Sequence, residues 1–469
     1  MRIKLTRKKL RPIIMVLFAG VVLSVYLYWS RHPDMAPGMA LLSLGIVWLG
    51  LLPTIYYILD DNRPPIPFFP LVGIFYIVFF GIPAFSYQMQ FFEFRLISYK
   101  ILFLLFIGFF LCFTAYVFFK VNIFNKLVYI KFSKSYSMSR FIFLLWILLT
   151  GHFIYRFSSV LKSVPSLGQF LDPAGYLAFG MFYILWRKGD LPDWQAWTLL
   201  LLFLPLEIIE RFSSGVLYQL MYFILFIAIV SMYYNKKIPI FLSLIVFLVY
   251  IVFAPVKSVF RHIDLDEDSN KSLISMINKS TLFLSLANEY LNGLADPSDF
   301  FISQERSYMR LSHIFVFATV VEDTPRSIPF WEGETYKPLM TMFIPRILWP
   351  DKPQEQVGQS FGHRYGILSS SDEETSLNLP WIIEMYANFG SIGVFLGMSV
   401  VGCLFAFLET MLNRPGMNPL EFVVGATILL PLIFQESNFS LMVGNILLLY
   451  VALYVYFRFG LRVHIDSNG

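Results

Sequence analysis

The sequence contains few charged residues and almost no cysteine. Asp, Glu, Lys and Arg make up 14% of its 469 residues, whereas soluble domains carry about 25%. Its two cysteines, Cys112 and Cys403, both lie in apolar runs. These scarcities argue against a soluble globular protein, against a disulfide framework and against a structural zinc site.

An acidic run at residues 264–268 raises the question of a metal ion. It reads Asp-Leu-Asp-Glu-Asp and lacks the glycine and the spacing of a calcium-binding loop. We interpret it as a solvated loop, so the sequence predicts no metal site.

Apolar and aromatic side chains are abundant. Hydrophobic residues make up 57% of the chain and aromatic residues 18%, and the mean hydropathy is +0.65. A helix needs about 20 apolar residues to cross a bilayer. By that measure the sequence predicts an all-α polytopic membrane protein with about twelve transmembrane helices, at residues 13–29, 39–59, 68–87, 97–119, 141–155, 167–186, 197–209, 215–234, 238–255, 390–408, 422–434 and 441–457.

Basic residues are concentrated outside one long segment, residues 256–380. That segment carries 11 Lys and Arg against 17 Asp and Glu, whereas the rest of the chain carries 25 against 14. Because short basic loops stay in the cytoplasm, alternating helices place both termini in the cytoplasm and residues 256–380 outside. The basic surplus thus reflects membrane orientation, and no nucleic-acid partner is predicted.

These features divide the chain into three parts. Residues 1–255 are predicted to form transmembrane helices 1–9, residues 256–380 a large external loop domain, and residues 381–469 transmembrane helices 10–12. The loop contains apolar, helix-like pieces and lacks the composition of a disordered linker. We therefore expect a mostly helical domain that packs on the membrane bundle.

Arg211 lies at the predicted outer end of the helix at 197–209, beside Glu210 and one turn after Glu207. Ionisable residues at membrane depth are costly and are candidates for function. The next helix begins after a Ser-Ser-Gly turn, and helix N-termini bind anions. Arg211 is therefore either an anion-binding residue or half of a local pair with Glu210.

Arg306, Arg310 and His313 are spaced so that they share one face of a helix. Two guanidinium groups so close together repel one another unless an anion lies between them. The guanidinium fork also matches the oxygens of a phosphate group. The alternative is an ordinary ion-pair network with Glu305 and other carboxylates of the loop.

Arg346 lies among apolar residues between two prolines, in a stretch that is unlike a regular helix. Trp349 follows it and suits the level of the lipid headgroups. His363 and Arg364 come next, in a glycine-bounded turn. His363 is either a base close to these arginines or a surface residue.

Two short runs resemble a known family. Residues 345–353 read Pro-Arg-Ile-Leu-Trp-Pro-Asp-Lys-Pro, and residues 384–390 read Glu-Met-Tyr-Ala-Asn-Phe-Gly. Both are similar to segments of the bacterial O-antigen and exopolysaccharide polymerases of the Wzy type. A large external loop between the ninth and tenth predicted helices also resembles these polymerases and the related O-antigen ligases.

The resemblance implies a GT-C-like membrane glycosyltransferase at the outer face of the bacterial inner membrane. Such an enzyme transfers a growing glycan from undecaprenyl diphosphate to the next lipid-linked repeat unit. It needs no nucleotide sugar and no obligatory metal, so no cofactor is expected. Undecaprenyl-diphosphate-linked glycans and the lipid bilayer are the implied partners, and a chain-length regulator and a flippase are further candidates.

The leaving group of that reaction is a lipid diphosphate, whose growing charge must be stabilised near the headgroup plane. The candidates for this role are the arginines at the predicted outer edge: Arg211, Arg306, Arg310, Arg346 and Arg364. The acceptor hydroxyl needs a base or an orienting acceptor. The candidates for that role are His363, Glu384 and His313.

Two alternative functions stay open. An O-antigen ligase would move finished glycan onto the lipid A core, and gene deletion separates the two enzymes. Deleting a polymerase leaves a single repeat unit on the core, whereas deleting a ligase leaves none. The other alternative is a transporter or flippase of lipid-linked oligosaccharides, although the sequence shows no internal repeat with matched helix breaks.

Overall fold

The architecture is taken from a computed structural model. It describes residues 7–85, 97–124, 131–132, 137–164, 167–213, 217–237, 273–293, 312–341, 357–369, 376–377, 379–435, 437–461 and 465–466, with short pieces between 239 and 260 and the single residues 344 and 349. Their regular secondary structure is helical, apart from one pair of two-residue strands. The part of the chain that the structure describes is therefore an all-α protein, as the sequence predicts.

The first half of the chain forms ten described α-helices. Two of them run on into a π-helical turn, at Ile77–Gly81 after α3 and at Leu199–Phe203 between α8 and α9. The α-helices are α1 Arg7–Ser30, α2 Pro37–Leu59, α3 Phe68–Tyr76, α4 Tyr99–Asn122, α5 Met138–Phe157, α6 Ser159–Lys162, α7 Gly168–Lys188, α8 Asp193–Thr198, α9 Leu204–Ser213 and α10 Leu217–Asn235.

The second half contains longer and shorter helices in alternation. Short 3₁₀ turns occur at Glu334–Tyr336 and Leu430–Ile433. The strands β1 Lys131–Phe132 and β2 Ile465–Asp466 pair antiparallel. The described α-helices are α11 Leu273–Leu291, α12 His313–Asp323, α13 Pro338–Thr341, α14 Val357–Arg364, α15 Trp381–Leu412, α16 Pro419–Leu429 and α17 Phe439–Leu461.

Seven helices in the described part of the chain are long and apolar enough to cross a membrane. Two shorter apolar helices, Gln219–Asn235 and Pro419–Ile433, add to them. These helices support a membrane-embedded protein, while the predicted total of about twelve spans stays a prediction. The seven are Lys9–Ser30, Pro37–Leu59, Phe68–Phe85, Tyr99–Asn122, Met138–Phe157, Trp381–Leu412 and Phe439–Leu461.

Helix α15 packs along the length of α4. A Cβ atom at Gly402 would overlap the carbonyl oxygen of Cys112, so the two backbones touch there. Farther along this seam, Tyr116 donates to the buried Glu409 carboxylate. Lys120 Nζ lies 3.3 Å from the same carboxylate. The seam thus combines close backbone packing with a buried charge that is paired.

The segments that the positive charges predict on one side of the membrane contact one another. Tyr233 Oη, for example, donates to the Met417 carbonyl oxygen at 2.8 Å. These segments therefore lie at one end of the bundle, which we call the basic end; that it faces the cytoplasm stays a prediction. The joining pairs are Lys9–Asp61, Ile66–Asn413, Arg187–Asn235, Tyr233–Met417 and Lys131–Asp466.

Helix α12 lies within the predicted external loop, yet it is buried in the core. Ile314, Phe317, Ala318 and Val320 have no exposed surface, and the helix packs against α15, α4 and the π-helical turn after α3. A helix that is apolar on all sides is expected to be enclosed by other elements. Part of residues 256–380 therefore joins the bundle instead of standing apart from it.

Gly402→Ala should lower the thermal unfolding temperature of the purified protein, because the added methyl group fits only if α4 moves away. Overpacking of this kind costs about 1–3 kcal/mol. Gly151→Ala is the matched control, since its new Cβ would meet Leu171 at 3.5 Å, an ordinary contact. Equal unfolding temperatures for the two variants would contradict this account of the α4–α15 seam.

Candidate functional site

The first two turns of α15 are separated from the rest of the helix by a kink. Phe389 and Gly390 leave the helical conformation, and Gly390 has φ 63° and ψ −147°. Glycine adopts this region without the steric penalty that a Cβ atom brings. The kink leaves carbonyl groups of the preceding turn without their partners in the helix, and the Trp331 amide donates to the Ala387 oxygen at 3.0 Å.

A second break separates α16 from α17. Residues 434, 435, 437 and 438 are not helical, although apolar helices stand on both sides of them. Trp381 Nε1 donates to the Ser437 oxygen at 2.8 Å, and the Phe439 amide donates to Glu384 Oε2 at 2.8 Å. Irregular backbone at membrane depth is tolerated where it is buried in protein or lines a cavity.

Asn388 ties this region to the turn that follows α12. Its Nδ2 donates at 2.8 Å to both Thr335 Oγ1 and the Glu384 carbonyl oxygen. Its Oδ1 accepts from the Gly333 amide at 2.9 Å, and Ser440 Oγ donates to the Thr335 oxygen at 3.1 Å. The turn therefore lies over both breaks and fixes their positions relative to each other.

Several buried polar atoms around the two breaks have no hydrogen-bond partner among the residues that the structure describes. They are Glu384 Oε1, Tyr336 Oη, Gln435 Nε2 and Asn438 Oδ1. Most buried polar groups are hydrogen-bonded, so four such atoms in one region need an explanation. We call this group, together with Asn388 and Thr335, the Glu384 cluster.

The Glu384 cluster offers both donors and acceptors. Glu384 is fully buried. Its Oε2 accepts from the Phe439 amide, and its Oε1 has no partner in hydrogen-bond geometry among the described residues. Burial, and after it the nearby Glu384 carboxylate, raise the pKa of the Tyr336 phenol, so this group keeps its proton. A ligand placed here would meet a carboxylate acceptor and a phenol donor together.

An apolar groove of about 750 Å³ leads away from the cluster along α15. Tyr336 and Asn388 line its polar end, and Ile392, Leu396 and Val400 line its wall. These last three are spaced four residues apart and are between 57% and 67% exposed. The groove therefore starts at Tyr336 and Asn388, two members of the Glu384 cluster, and runs along the face that α15 presents outward.

Two cations border the same turn. Lys100 Nζ donates to Tyr386 Oη at 2.9 Å. Arg364, in the last turn of α14, donates to the Pro329 oxygen at 2.6 Å, and its guanidinium carbon lies 4.4 Å from the Trp331 ring centroid. Arg364 and Glu384, both candidates from the sequence, are thus joined through residues 329–336.

The two candidate histidines lie outside the Glu384 cluster. His313 begins α12, and its ring stacks on Phe79 with centroids 5.1 Å apart. His363 is half-buried in the last turn of α14, one residue before Arg364. Their catalytic roles stay predictions. The candidates Arg306, Arg310 and Arg346 lie outside the described residues.

Arg211 belongs to a different network, on α5, α7, α9 and α10. Its guanidinium donates twice to Glu207, with a distance of 2.7 Å from Nε, and also to Tyr176 Oη at 2.7 Å and to the Gln219 oxygen at 3.1 Å. His152 Nε2 lies 3.1 Å from the second Glu207 oxygen. Each guanidinium nitrogen is therefore engaged within the protein, and binding of a diphosphate by Arg211 stays a prediction.

Sequence reasoning identified Glu384 but missed the residues that surround it. Asn388 stands four residues after Glu384, a spacing that places both on one helix face. Gln435 and Asn438 belong to the polar run Gln-Glu-Ser-Asn at 435–438, which interrupts two apolar stretches. That interruption is the signal that could have revealed the second break.

A family model described as a domain of unknown function, DUF8712, matches residues 111–466. This match includes the Glu384 cluster and the Arg211 network. No curated protein and no solved structure matches the chain.

Asn388→Ala should destabilise the turn at 331–336, because the Gly333 amide would lose its acceptor while still partly buried. Leaving such a donor unpaired costs about 1–3 kcal/mol. The change should lower the unfolding temperature and speed limited proteolysis within the turn. Asn292→Ala, at an exposed position after α11, is the control and should leave both unchanged; identical behaviour of the two variants would refute the bridging role.

Proposed function

The chain belongs to the DUF8712 family, and we propose that it is a membrane glycosyltransferase that polymerises lipid-linked oligosaccharide repeat units. The runs at 345–353 and 384–390 that resemble the Wzy-type polymerases support this proposal. The observation that carries it is the position of Glu384. This buried carboxylate has one oxygen with no hydrogen-bond partner among the described residues, and it lies next to Asn388, which lines the polar end of an apolar groove.

The groove suits a polyprenyl chain as the lipid part of the substrate. Its wall from Phe389 to Val400 extends about 16 Å at the rise of an α-helix. Its lining is apolar apart from the end at Tyr336, Asn388 and Glu332. An isoprenoid tail in this groove would bring the attached diphosphate and sugar to the Glu384 cluster.

The proposed reaction needs an acceptor for a proton. The oxygen of a sugar hydroxyl attacks the anomeric carbon of the donor glycan, and the bond from that carbon to the lipid diphosphate breaks. The hydroxyl proton passes to Glu384 Oε1, and the lipid diphosphate leaves with the bonding electron pair. A carboxylate within hydrogen-bond reach of the hydroxyl can act as this general base.

The departing diphosphate needs positive charge and hydrogen-bond donors. Lys100 and Arg364 border the turn above Glu384, and Tyr336 Oη and Gln435 Nε2 are spare donors within the cluster. Arg306, Arg310 and Arg346 are further candidates from the sequence. Such groups stabilise developing charge more strongly in a water-poor site than in water.

The proposal places the reaction at the outer face of a bacterial inner membrane. Glu384 lies in the first turn of α15, and Asn413, at the other end of that helix, contacts Ile66 at the basic end of the bundle. The Glu384 cluster is therefore at the opposite end. If the basic end faces the cytoplasm, as the positive charges predict, the cluster faces outward.

Glu384→Gln should abolish elongation and leave the fold intact. The amide oxygen of glutamine still accepts from the Phe439 amide, but it does not take up the proton of the attacking hydroxyl. Loss of a general base lowers kcat by about 10²–10⁴-fold. Purified protein supplied with one defined lipid-linked repeat unit provides the measurement, with product length read by mass spectrometry.

The control for this variant is Glu334→Gln, in the same turn, where the side chain is 56% exposed and pairs with Lys337. Both variants should elute and unfold like the wild type. Full-length product from Glu384→Gln would remove Glu384 from the reaction.

Leu396→Trp should obstruct the groove and weaken binding of the lipid-linked substrate. Displacing about two methylene groups of bound lipid costs about 1.6 kcal/mol, which would raise KM about 15-fold and leave kcat nearly unchanged. Val451→Trp places the same side chain on an exposed position of α17 outside the groove and should leave KM unchanged. A normal KM for Leu396→Trp would show that the lipid binds elsewhere.

A further inference from the structure

A second polar group lies where α5, α7 and α9 come together. Arg156 stands between two carboxylates, with Nη1 3.1 Å from Glu210 Oε1 and Nε 3.0 Å from Asp172 Oδ1. Glu210 is 7% exposed, and the Asp172 side chain is 39% exposed. The group is thus buried at Glu210 and open to the surface at Asp172.

This group has hydrogen-bonding capacity that the described residues do not use. Glu210 Oε2 and Gln169 Oε1 are buried with no hydrogen-bond partner in the described part of the chain. Arg156 Nε and Asp172 Oδ1 are close enough for an ion pair but are not aligned as a hydrogen bond. Each can therefore still form a hydrogen bond with a ligand. Gln169 and Asp172 are three residues apart on α7 and therefore lie on one face.

The adjoining network explains why Glu210 is held in place. Glu207, one turn earlier on α9, is fully engaged by Arg211 and His152. The His152 ring packs against Gly175 of α7, where a Cβ atom would not fit. The three helices are therefore fixed around the Arg156 group, and its spare atoms are part of a built site.

The chemistry of the spare atoms selects the ligand. Arg156 already occupies the position between the carboxylates that a cation would take. Two carboxylates would repel a phosphate group. Three spare acceptors and one spare donor match hydroxyl groups, which both donate and accept.

We propose that Arg156, Asp172 and Glu210, with Gln169, bind the hydroxyl groups of a carbohydrate at a site separate from Glu384. Arg156 and Asp172 lie at the ends of their helices away from the basic end, because Arg187, at the far end of α7, contacts Asn235 there. Both sites thus open toward the same side. Naming the carbohydrate as the glycan of the lipid-linked substrate rests on the proposed function.

The test measures binding of a glycan that carries neither lipid nor phosphate. The probe is the repeat-unit oligosaccharide from cells that make the lipid-linked repeat unit. Mild acid releases it from its lipid carrier, and phosphatase removes the remaining phosphate. Isothermal titration with the purified full-length protein in nanodiscs gives its affinity. Calcium chloride and inorganic pyrophosphate are titrated in parallel as the cation and the anion.

Glu210→Gln keeps the acceptor for Arg156 and replaces the spare oxygen by a donor. Affinity for the oligosaccharide should fall about tenfold, the effect of losing one hydrogen bond to a charged group. Gln169→Ala removes an acceptor without touching the ion pairs and should also weaken binding. Glu289→Gln, exposed on α11, is the control for the change of charge and should bind the oligosaccharide as the wild type does.

The inference fails if the wild type does not bind the oligosaccharide, if Glu210→Gln and Gln169→Ala bind it as the wild type does, or if calcium or pyrophosphate binds at this site instead. If the protein elongates a lipid-linked repeat unit but does not bind the free oligosaccharide, the result contradicts the inference and still supports the proposed function. Oligosaccharide binding by a protein that never elongates the lipid-linked unit would do the reverse.

Discussion

The hydrogen bond from the Phe439 amide to the Glu384 carboxylate connects the two helix breaks on which the site depends. An amide left free in a hydrocarbon environment costs several kcal/mol, and α17 begins where no preceding turn can accept from it. A carboxylate from α15 satisfies this amide and gains from the positive end of the helix dipole. One of its oxygens is thereby fixed in direction, and the other is left for a ligand.

The buried polar residues discussed above are of two kinds. In one kind the protein supplies the hydrogen-bond partners, and in the other kind an atom is left without one. Arg211, Glu207 and Glu409 are buried, charged and engaged by protein partners. Such networks hold helices together at the cost of desolvation, and breaking one leaves a charge unpaired. Glu384 is fully buried and Glu210 is 7% exposed, but each has an oxygen with no hydrogen-bond partner among the described residues, which makes them the more promising positions for ligands.

The two ends of the bundle differ in the same way. At the basic end, Asn413 bonds Ile66 in both directions, and Arg414 lies 2.8 Å from Glu421, so polar groups there serve mainly to join helices. At the opposite end the helices are interrupted and capped by residues from other elements, and both groups with spare atoms are found there.

The sequence alone determined the helical class and the grouping of basic segments at one end, and it named Glu384 as a candidate functional residue, because hydropathy, charge and residue type act locally. It also singled out Arg211, but only the tertiary structure showed that Glu207, Tyr176 and Gln219 occupy its guanidinium. The meeting of Asn388 with Gly333, and of Glu384 with Phe439, likewise required the fold. These contacts join residues about 55 positions apart in the chain, and no local pattern specifies which distant amide a buried carboxylate will cap.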